Sequence, residues 1–364
     1  MNAMDCNLVK LYYADTKSTA GSLCEFEKIF NSLSYGVLGY STAISISSIL
    51  INIVHFFMLT RKPMRTSSIN ILMAAVAVFD VFASLHQIET LLSRYSYIFV
   101  SCYPSGAYGL VLTRVILDIL KNYSRRCSTW LIVFIAFIRT LIVRNPLSKY
   151  KSLGKPKASA MVIAGICVTS LPVSIFKCLE YQFIENWDFY SCLPGKTYYL
   201  YVESHLFMKN DGFLAKCFYL FNSFVSDIIP CILLPIVTLL LVLNLWKTAK
   251  KRTNTLSVSR NNSSRSRTGL VFCVTIMFFI VELPYGLSMG FVWSNFDEIA
   301  MQQLLTHIGF FFSILITLNT WTHLFVCLII SSRYRNTAIY VFSFGCFGLK
   351  NKILGRSAQP KSVW

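Results

Sequence analysis

Seven separate stretches of this chain are apolar and long enough to cross a lipid bilayer, and that feature excludes most folds open to a sequence of its length. They run over Tyr35–Leu59, Ser67–Leu92, about Leu110–Val143, Ala158–Phe176, Phe218–Trp246, Thr268–Trp293 and Leu304–Ile330. A spanning helix takes ~20 mostly apolar residues, because hydrocarbon offers backbone amides no partner and each must be satisfied within its own segment. The third run is the weakest: Arg114, Asp118, Lys121, Arg125 and Arg126 interrupt its first half, whereas Cys127–Val143 is clearly apolar. The expected architecture is an all-α membrane protein, a seven-helix transmembrane bundle over residues 35–330, preceded by a segment 1–34 and followed by a tail 331–364.

Composition supports lipid as the solvent, with 55% hydrophobic residues and only 14% charged, against ~25% charged in soluble domains. The net charge of +18 is scattered between apolar runs and forms no continuous basic domain, which argues against a nucleic-acid partner. Twelve cysteines without CxxC spacing, most of them inside apolar runs, argue against a structural metal. A polar first segment followed by a run too long for a signal core argues against a cleavable leader. No HExxH, GxSxG or P-loop pattern occurs, so an enzyme and a catalytic cofactor are not expected.

Loop charge gives orientation, since Lys and Arg are retained on the cytoplasmic side. The segments 60–66, 144–157, 247–267 and 331–364 are rich in Lys and Arg and contain no Asp or Glu. The alternate segments hold Asp5, Glu25, Glu180, Glu185, Asp297 and further acids beside fewer cations. The amino terminus is therefore expected outside the plasma membrane and the carboxyl terminus inside. A transporter built from two matched halves predicts an even number of spans and a visible repeat, and no repeat is found. Beyond the seventh run, Ser332–Phe347 alternates basic and aromatic residues, which predicts a short amphipathic helix on the inner membrane surface. Near its end, Cys346 is either a palmitoylation site or an unmodified thiol.

The stretch from Asn52 to Asp80 reads NIVHFFMLTRKPMRTSSINILMAAVAVFD, and residues 138 to 147 read IRTLIVRNPL. Here the chain resembles a rhodopsin-type (class A) G-protein-coupled receptor: Asn52, the Arg65–Thr66 turn, Asn70 and Asp80, and Arg139 with Pro146 and Leu147, fall in that family's places. The phrases MRTSSIN, RRCSTWL, IRTLIV, IPCILLPIVTLLLV, ELP and SSRYR resemble, more closely, the nematode serpentine chemoreceptors of class W, themselves similar to FMRFamide-type peptide receptors. The resemblance implies a receptor for an extracellular peptide or small-molecule ligand, seated in the lipid bilayer, that activates a heterotrimeric G protein through Arg139, Pro146 and Leu147. It also implies a buried polar switch of Asn52, Asp80 and Asn319, with a sodium ion near Asp80; a purely structural hydrogen-bond network is the alternative. Departures are equally specific. Ile138 and Thr140 replace the acid and aromatic that usually flank the Arg, Glu282 stands where a Trp is usual, and His323, Leu324 and Cys327 replace the seventh helix's Asn, Pro and Tyr. No Lys occurs from Leu304 to Ile330, which removes the attachment point of a retinal pigment.

Arg114, Asp118, Lys121 and Arg125 recur at intervals of four, three and four, and so share one helix face. With Glu89, Asp227 and Glu282 from other helices they outline a polar pocket; a ligand pocket of Glu89, Asp118, Lys121, Arg125, Asp227 and Glu282 is one reading, mutual pairing of these charges the other. Glu282 either meets a basic ligand group or pairs with an internal cation. In the sixth run, Phe278 and Pro284 mark a hinge, because a proline inside a helix removes one backbone hydrogen bond. The resemblance implies a disulfide from Cys192 to the outer end of the third helix, with Cys102 the chosen partner and Cys24 with Cys6 or Cys178 left open. The sequons at Asn122, Asn261 and Asn262 lie in a span or a cytoplasmic loop, so no extracellular glycan is expected.

Overall fold

The computed structural model describes residues 20–100, 107–144, 154–186, 198–253, 261–292 and 299–342. Among them are seven helical rods: α1 (Ala20–Leu59), α2 (Ser68–Val100), α3 (Tyr108–Arg144), α4 (Pro156–Cys178), α5 (His205–Ser223, a π-helical turn Phe224–Ile228 and Ile229–Thr253), α6 (Asn261–Val292) and α7 (Ile299–Asn319 and Trp321–Ile330). A short helix α8 (Ser332–Phe342) follows. A helix covers each expected span. Among the described residues six stretches qualify as spans by length and apolarity; α3, whose first half is charged, does not qualify by itself and stands in the bundle through its packing on α2, α4 and α5.

The chain forms a helical membrane bundle. α1 packs on α2, α2 on α3, α5 on α6, α6 on α7 and α7 back on α1, while α3 runs against α2, α4 and α5. The polarity is inverted relative to a soluble protein. Leu50, Phe57, Met161, Val168, Leu239 and Ile280 face outward, whereas Ser48, Asn52, Asp80, Arg126 and Glu282 are buried. Lipid is a good solvent for the first set, and bundle partners satisfy the second. The central apolar core joins Leu72 and Val76 of α2 to Cys127, Leu131, Ile135 and Ile138 of α3 and Ile166 of α4.

Three features depart from the sequence expectation. α1 begins at Ala20 and α5 at His205, both well upstream of the apolar runs, because a helix emerging from lipid continues through polar residues that water also tolerates. The region between α4 and α5 carries a two-stranded antiparallel hairpin, β1 (Tyr181–Asn186) with β2 (Tyr198–Glu203), paired from Tyr181 opposite Glu203 to Asn186 opposite Tyr198. Between the hairpin and the apolar part of α5, Lys209–Gly212 leave helical geometry; Gly212 sits at φ +69, which glycine adopts without a Cβ clash.

The π-turn in α5 has a local cause. Ile229 N–H bonds the carbonyl of Phe224, five residues back, and the next residue, Pro230, has no N–H to continue the ordinary ladder. α6 lies close against this turn because Gly286 and Gly290 leave room. A Cβ on Gly286 would come within 2.8 Å of Asp227 Cβ, and one on Gly290 within 3.0 Å of Ser223 Oγ. Small residues four apart allow this approach, and the Ser223 hydroxyl donates to Gly286 O across it.

At the end of the bundle carrying Arg61, Lys62 and Arg65, α8 folds under α1. Tyr334 is fully buried among Met58, Leu59, Met64 and Ala74, its hydroxyl 2.7 Å from His55 Nδ1. Asn70 donates to Met64 O at 2.8 Å and fastens the turn between α1 and α2.

Candidate functional site

The charges on α3 gather in two tiers between the hairpin and the bundle centre. In the outer tier Arg114 forks onto Glu89 of α2, its Nε and Nη2 donating to the carboxylate at 3.1 to 3.3 Å. One turn deeper, Asp118 accepts from Lys121 at 3.1 Å, Lys177 of α4 at 3.4 Å, the Tyr181 hydroxyl at 3.0 Å and Asn122 Nδ2 at 3.2 Å, with His86 Nε2 of α2 3.9 Å away. Lys177 also reaches Glu180 at 3.0 Å, and Tyr219 of α5 donates its hydroxyl to Glu180. An unpaired charge at such depth costs several kcal/mol; here each carboxylate has a cation or hydroxyl donor.

This tier is tied to the hairpin. Burial, then the Asp118 and Glu180 carboxylates, push the Tyr181 phenol well above its ordinary range, so it stays protonated and donates. Burial and Glu180 likewise raise Glu203 on the facing strand. Above them Tyr108 of α3 packs edge-on against Phe183 and Tyr199, ring centres 5.5 and 5.2 Å away.

In the inner tier, Arg125 crosses to α6 and donates from Nη2 to Glu282 at 2.8 Å, with Asp227 of the π-turn at 4.0 Å. Its guanidinium carbon lies 3.7 Å over the Tyr285 ring. Arg126, one residue on and about 100° around the helix, points the other way. It donates to Ser226 Oγ (2.8 Å), Ser170 O and Ser174 Oγ (both 3.1 Å) and Asn222 Oδ1 (2.6 Å), all uncharged.

The second reading of the sequence, mutual pairing, thus describes the geometry of Glu89, Asp118, Lys121, Arg125, Asp227 and Glu282, and Glu282 meets an internal cation. The shared face of α3 holds, but its members divide among α2, α4 and α6. Arg126, Lys177, Glu180, Tyr181, Tyr219 and Tyr285 escaped sequence reading. For Arg126 a signal existed: Ser170 with Ser174, and Asn222 with Ser226, are polar pairs four apart inside otherwise apolar helices, which is what a buried cation between those helices requires.

Below lies a cavity of about 60 Å³ lined by Asp80, Lys121, Arg125, Ser128, Glu282 and Asn319, among others. Asp80 Oδ1 accepts from Ser128 at 2.6 Å, whereas Oδ2 is buried without a hydrogen-bond partner. Asn52 donates to Ser48 O and to the Thr320 hydroxyl at 3.0 and 3.3 Å, and Asn319 Oδ1 lies 3.4 Å from the Thr322 hydroxyl. Asp80, Asn319 and Thr320 therefore face one cavity, and Asn52 joins it through Thr320. His323 also lines it.

Toward the basic end, Phe278 packs with Val133 and Leu234, and α6 passes through Pro284 as one continuous helix. Arg139 is half-buried at the inner part of α3, with no carboxylate at ion-pair distance among the described residues. Pro146, Leu147, Cys102, Cys192 and Cys346 lie outside the described residues, so the loop contact, the disulfide and the palmitoylation site have no structural counterpart here.

A family profile described as serpentine type 7TM GPCR chemoreceptor Srw matches residues 39–345. The chain is also similar to the FMRFamide peptide receptor frpr-18 of Caenorhabditis elegans, 22% identical over 303 residues, which cover 81% of this chain. It spans 66% of that receptor's length, a little under two thirds.

Proposed function

The chain belongs to the serpentine type 7TM GPCR chemoreceptor Srw family, and from that premise we propose that it is a plasma-membrane receptor for an extracellular peptide or peptide-like ligand that activates a heterotrimeric G protein. The observation that carries this reading is the two-tier charge cluster: five helices converge ionisable side chains on one region roofed by a hairpin. A bundle with only a structural task has no use for so many desolvated charges, since apolar residues of similar volume are as stable. A ligand with charged groups of its own exchanges with these pairs at little net cost.

In this reading the hairpin end is extracellular and the basic end cytoplasmic, in line with the Lys and Arg bias of the loops. Ligand binding shifts the population toward a state in which the inner part of α6 has moved. Arg139, with no carboxylate at ion-pair distance among the described residues, contacts the G protein together with the loop bearing Pro146 and Leu147. For a sodium ion the cavity beside Asp80 offers one unmatched buried acceptor, Oδ2, with Ser128 and Asn319 lining the same space, while Lys121 and Arg125, which also line it, oppose a further cation.

Guanine-nucleotide exchange tests the proposal, measured in membranes containing the receptor, with a panel of G proteins and a library of neuropeptides. An agonist is expected to raise exchange in the wild type, and Arg139→Ala is expected to lower that response at least ~10-fold without loss of agonist binding. A full agonist response from Arg139→Ala ends the coupling assignment. Ligand-gated ion flux in vesicles lacking G protein would instead identify a channel or transporter.

A further inference from the structure

Arg125 and Arg126 are chain neighbours with opposite degrees of satisfaction. Arg126 donates four hydrogen bonds to uncharged groups on α4 and α5. Arg125 donates one, to Glu282, and its Nε–H is buried without a partner. Asp227, at 4.0 Å, is too far to supply a second. A guanidinium is recognised best by an anion that takes two parallel N–H groups at once, and Glu282 leaves that edge incomplete. The Tyr285 ring beneath fixes the guanidinium plane. Lys121, one turn earlier on the same face, lines the same cavity, so two cations from α3 border it.

We propose that Arg125 is the anion-receiving group of this receptor: a carboxylate on the ligand engages its unmet N–H edge, draws it from Glu282 and so releases α6 from α3. The proposal rests on the receptor reading and deepens it by fixing the sign of the group that reaches the bundle centre. The backbones of α3 and α6 are not among the helix pairs that pack closely; below, they meet at the Val133–Leu234–Phe278 cluster, and above it Arg125 spans the gap, so the Arg125–Glu282 bond is well placed to set their separation there. Glu282 is the internal stand-in for the ligand carboxylate. The choice of sign rests on the unmet Nε–H, which only an acceptor can satisfy; Lys121 on the same cavity offsets part of the repulsion that Glu282 and Asp227 exert on an incoming anion.

Formate is small enough to serve as the probe, with methylammonium as its cationic counterpart. Trifluoromethyl-phenylalanine placed at Met277, a lipid-facing position on α6, reports the helix by fluorine NMR in the purified full-length receptor in lipid nanodiscs, at matched ionic strength and without G protein. Potassium formate is expected to shift the wild-type resonance toward the position seen in Glu282→Gln, and methylammonium chloride to leave it unmoved. Glu282→Gln, which removes the competing internal anion, is expected to bind formate at least about fivefold more tightly, and Arg125→Gln to lose the response. A shift with methylammonium alone, or with neither probe, overturns the proposal, as does unchanged formate affinity in Glu282→Gln should Arg125→Gln fail to fold. A formate response in a receptor that never drives nucleotide exchange leaves the site standing and removes the coupling assignment; agonist-driven exchange without a formate response removes the site alone.

Discussion

The two halves of α3 are held by different forces. From Arg114 to Arg126 the helix is fastened by ion pairs and charged hydrogen bonds to α2, α4, α5, α6 and the hairpin. From Cys127 to Ile138 apolar packing dominates, with Leu131 and Ile135 set against Leu72, Val76 and Ile166, and Val133 against Leu234 and Phe278; its polar ties run from uncharged donors, Ser128 to Asp80 and Trp130 to Val225 O. Directional contacts in a low-dielectric interior have few good geometries and switch between them when a charge is added. Apolar contacts are numerous, individually weak and non-directional, and a close-packed apolar interface moves between discrete arrangements rather than continuously. A charge delivered to the outer half can thus be read out as a shift in the inner half.

Substitutions in the two halves can break that contrast. Arg126→Ala should have the largest effect, because four acceptors lose their donor together; a loss of about 3 kcal/mol is expected, visible as a collapse of folded receptor at the cell surface. Leu131→Ala removes a fully buried side chain from the inner core and should cost about 2–3 kcal/mol, read as a lower thermal midpoint in nanodiscs with agonist affinity unchanged. Asp118→Asn leaves Lys121 and Lys177 without their shared carboxylate and should cost about 2 kcal/mol. Unlike the leucine change, it should also alter the agonist response. Equal effects of Leu131→Ala and Asp118→Asn on agonist affinity would erase the distinction between the halves. Tyr334→Phe deletes only the bond to His55 and should cost about 1 kcal/mol; thermal unfolding of the paired variants His55→Ala and Tyr334→Phe in a double-mutant cycle measures it.

How much of this was legible depends on which solvent a segment meets. The seven spans could be read from the apolar runs because hydrocarbon tolerates little else, and α8 from its alternation of basic and aromatic residues. The outer extension of α1 to Ala20, the start of α5 at His205 and the hairpin lie where water accepts helix, strand and loop alike, so hydropathy is silent there. Lys177 shows the cost of that silence: it reads as a loop charge, yet it occupies the last turn of α4 and is buried against Asp118 and Glu180. Within the site, the interval pattern placed Arg114, Asp118, Lys121 and Arg125 on one face, which is local geometry. Their partners on α2, α4 and α6 follow from how the helices pack, and no spacing within α3 encodes it. Asp80 with Asn319 came from resemblance, and no spacing in the sequence shows that the two line one cavity.

The π-turn at Phe224–Ile228 gives α5 a degree of freedom that a regular helix lacks. It stores one surplus residue in the helix, and each residue corresponds to about 100° of rotation. If the surplus migrates along α5, the stretch between its old and new positions turns by about 100° against α6 while the two ends of the helix stay at the same depth. A small rearrangement beside Asp227 would then change which side chains of that stretch face α6, with no need for the helix to tilt or to leave its neighbours.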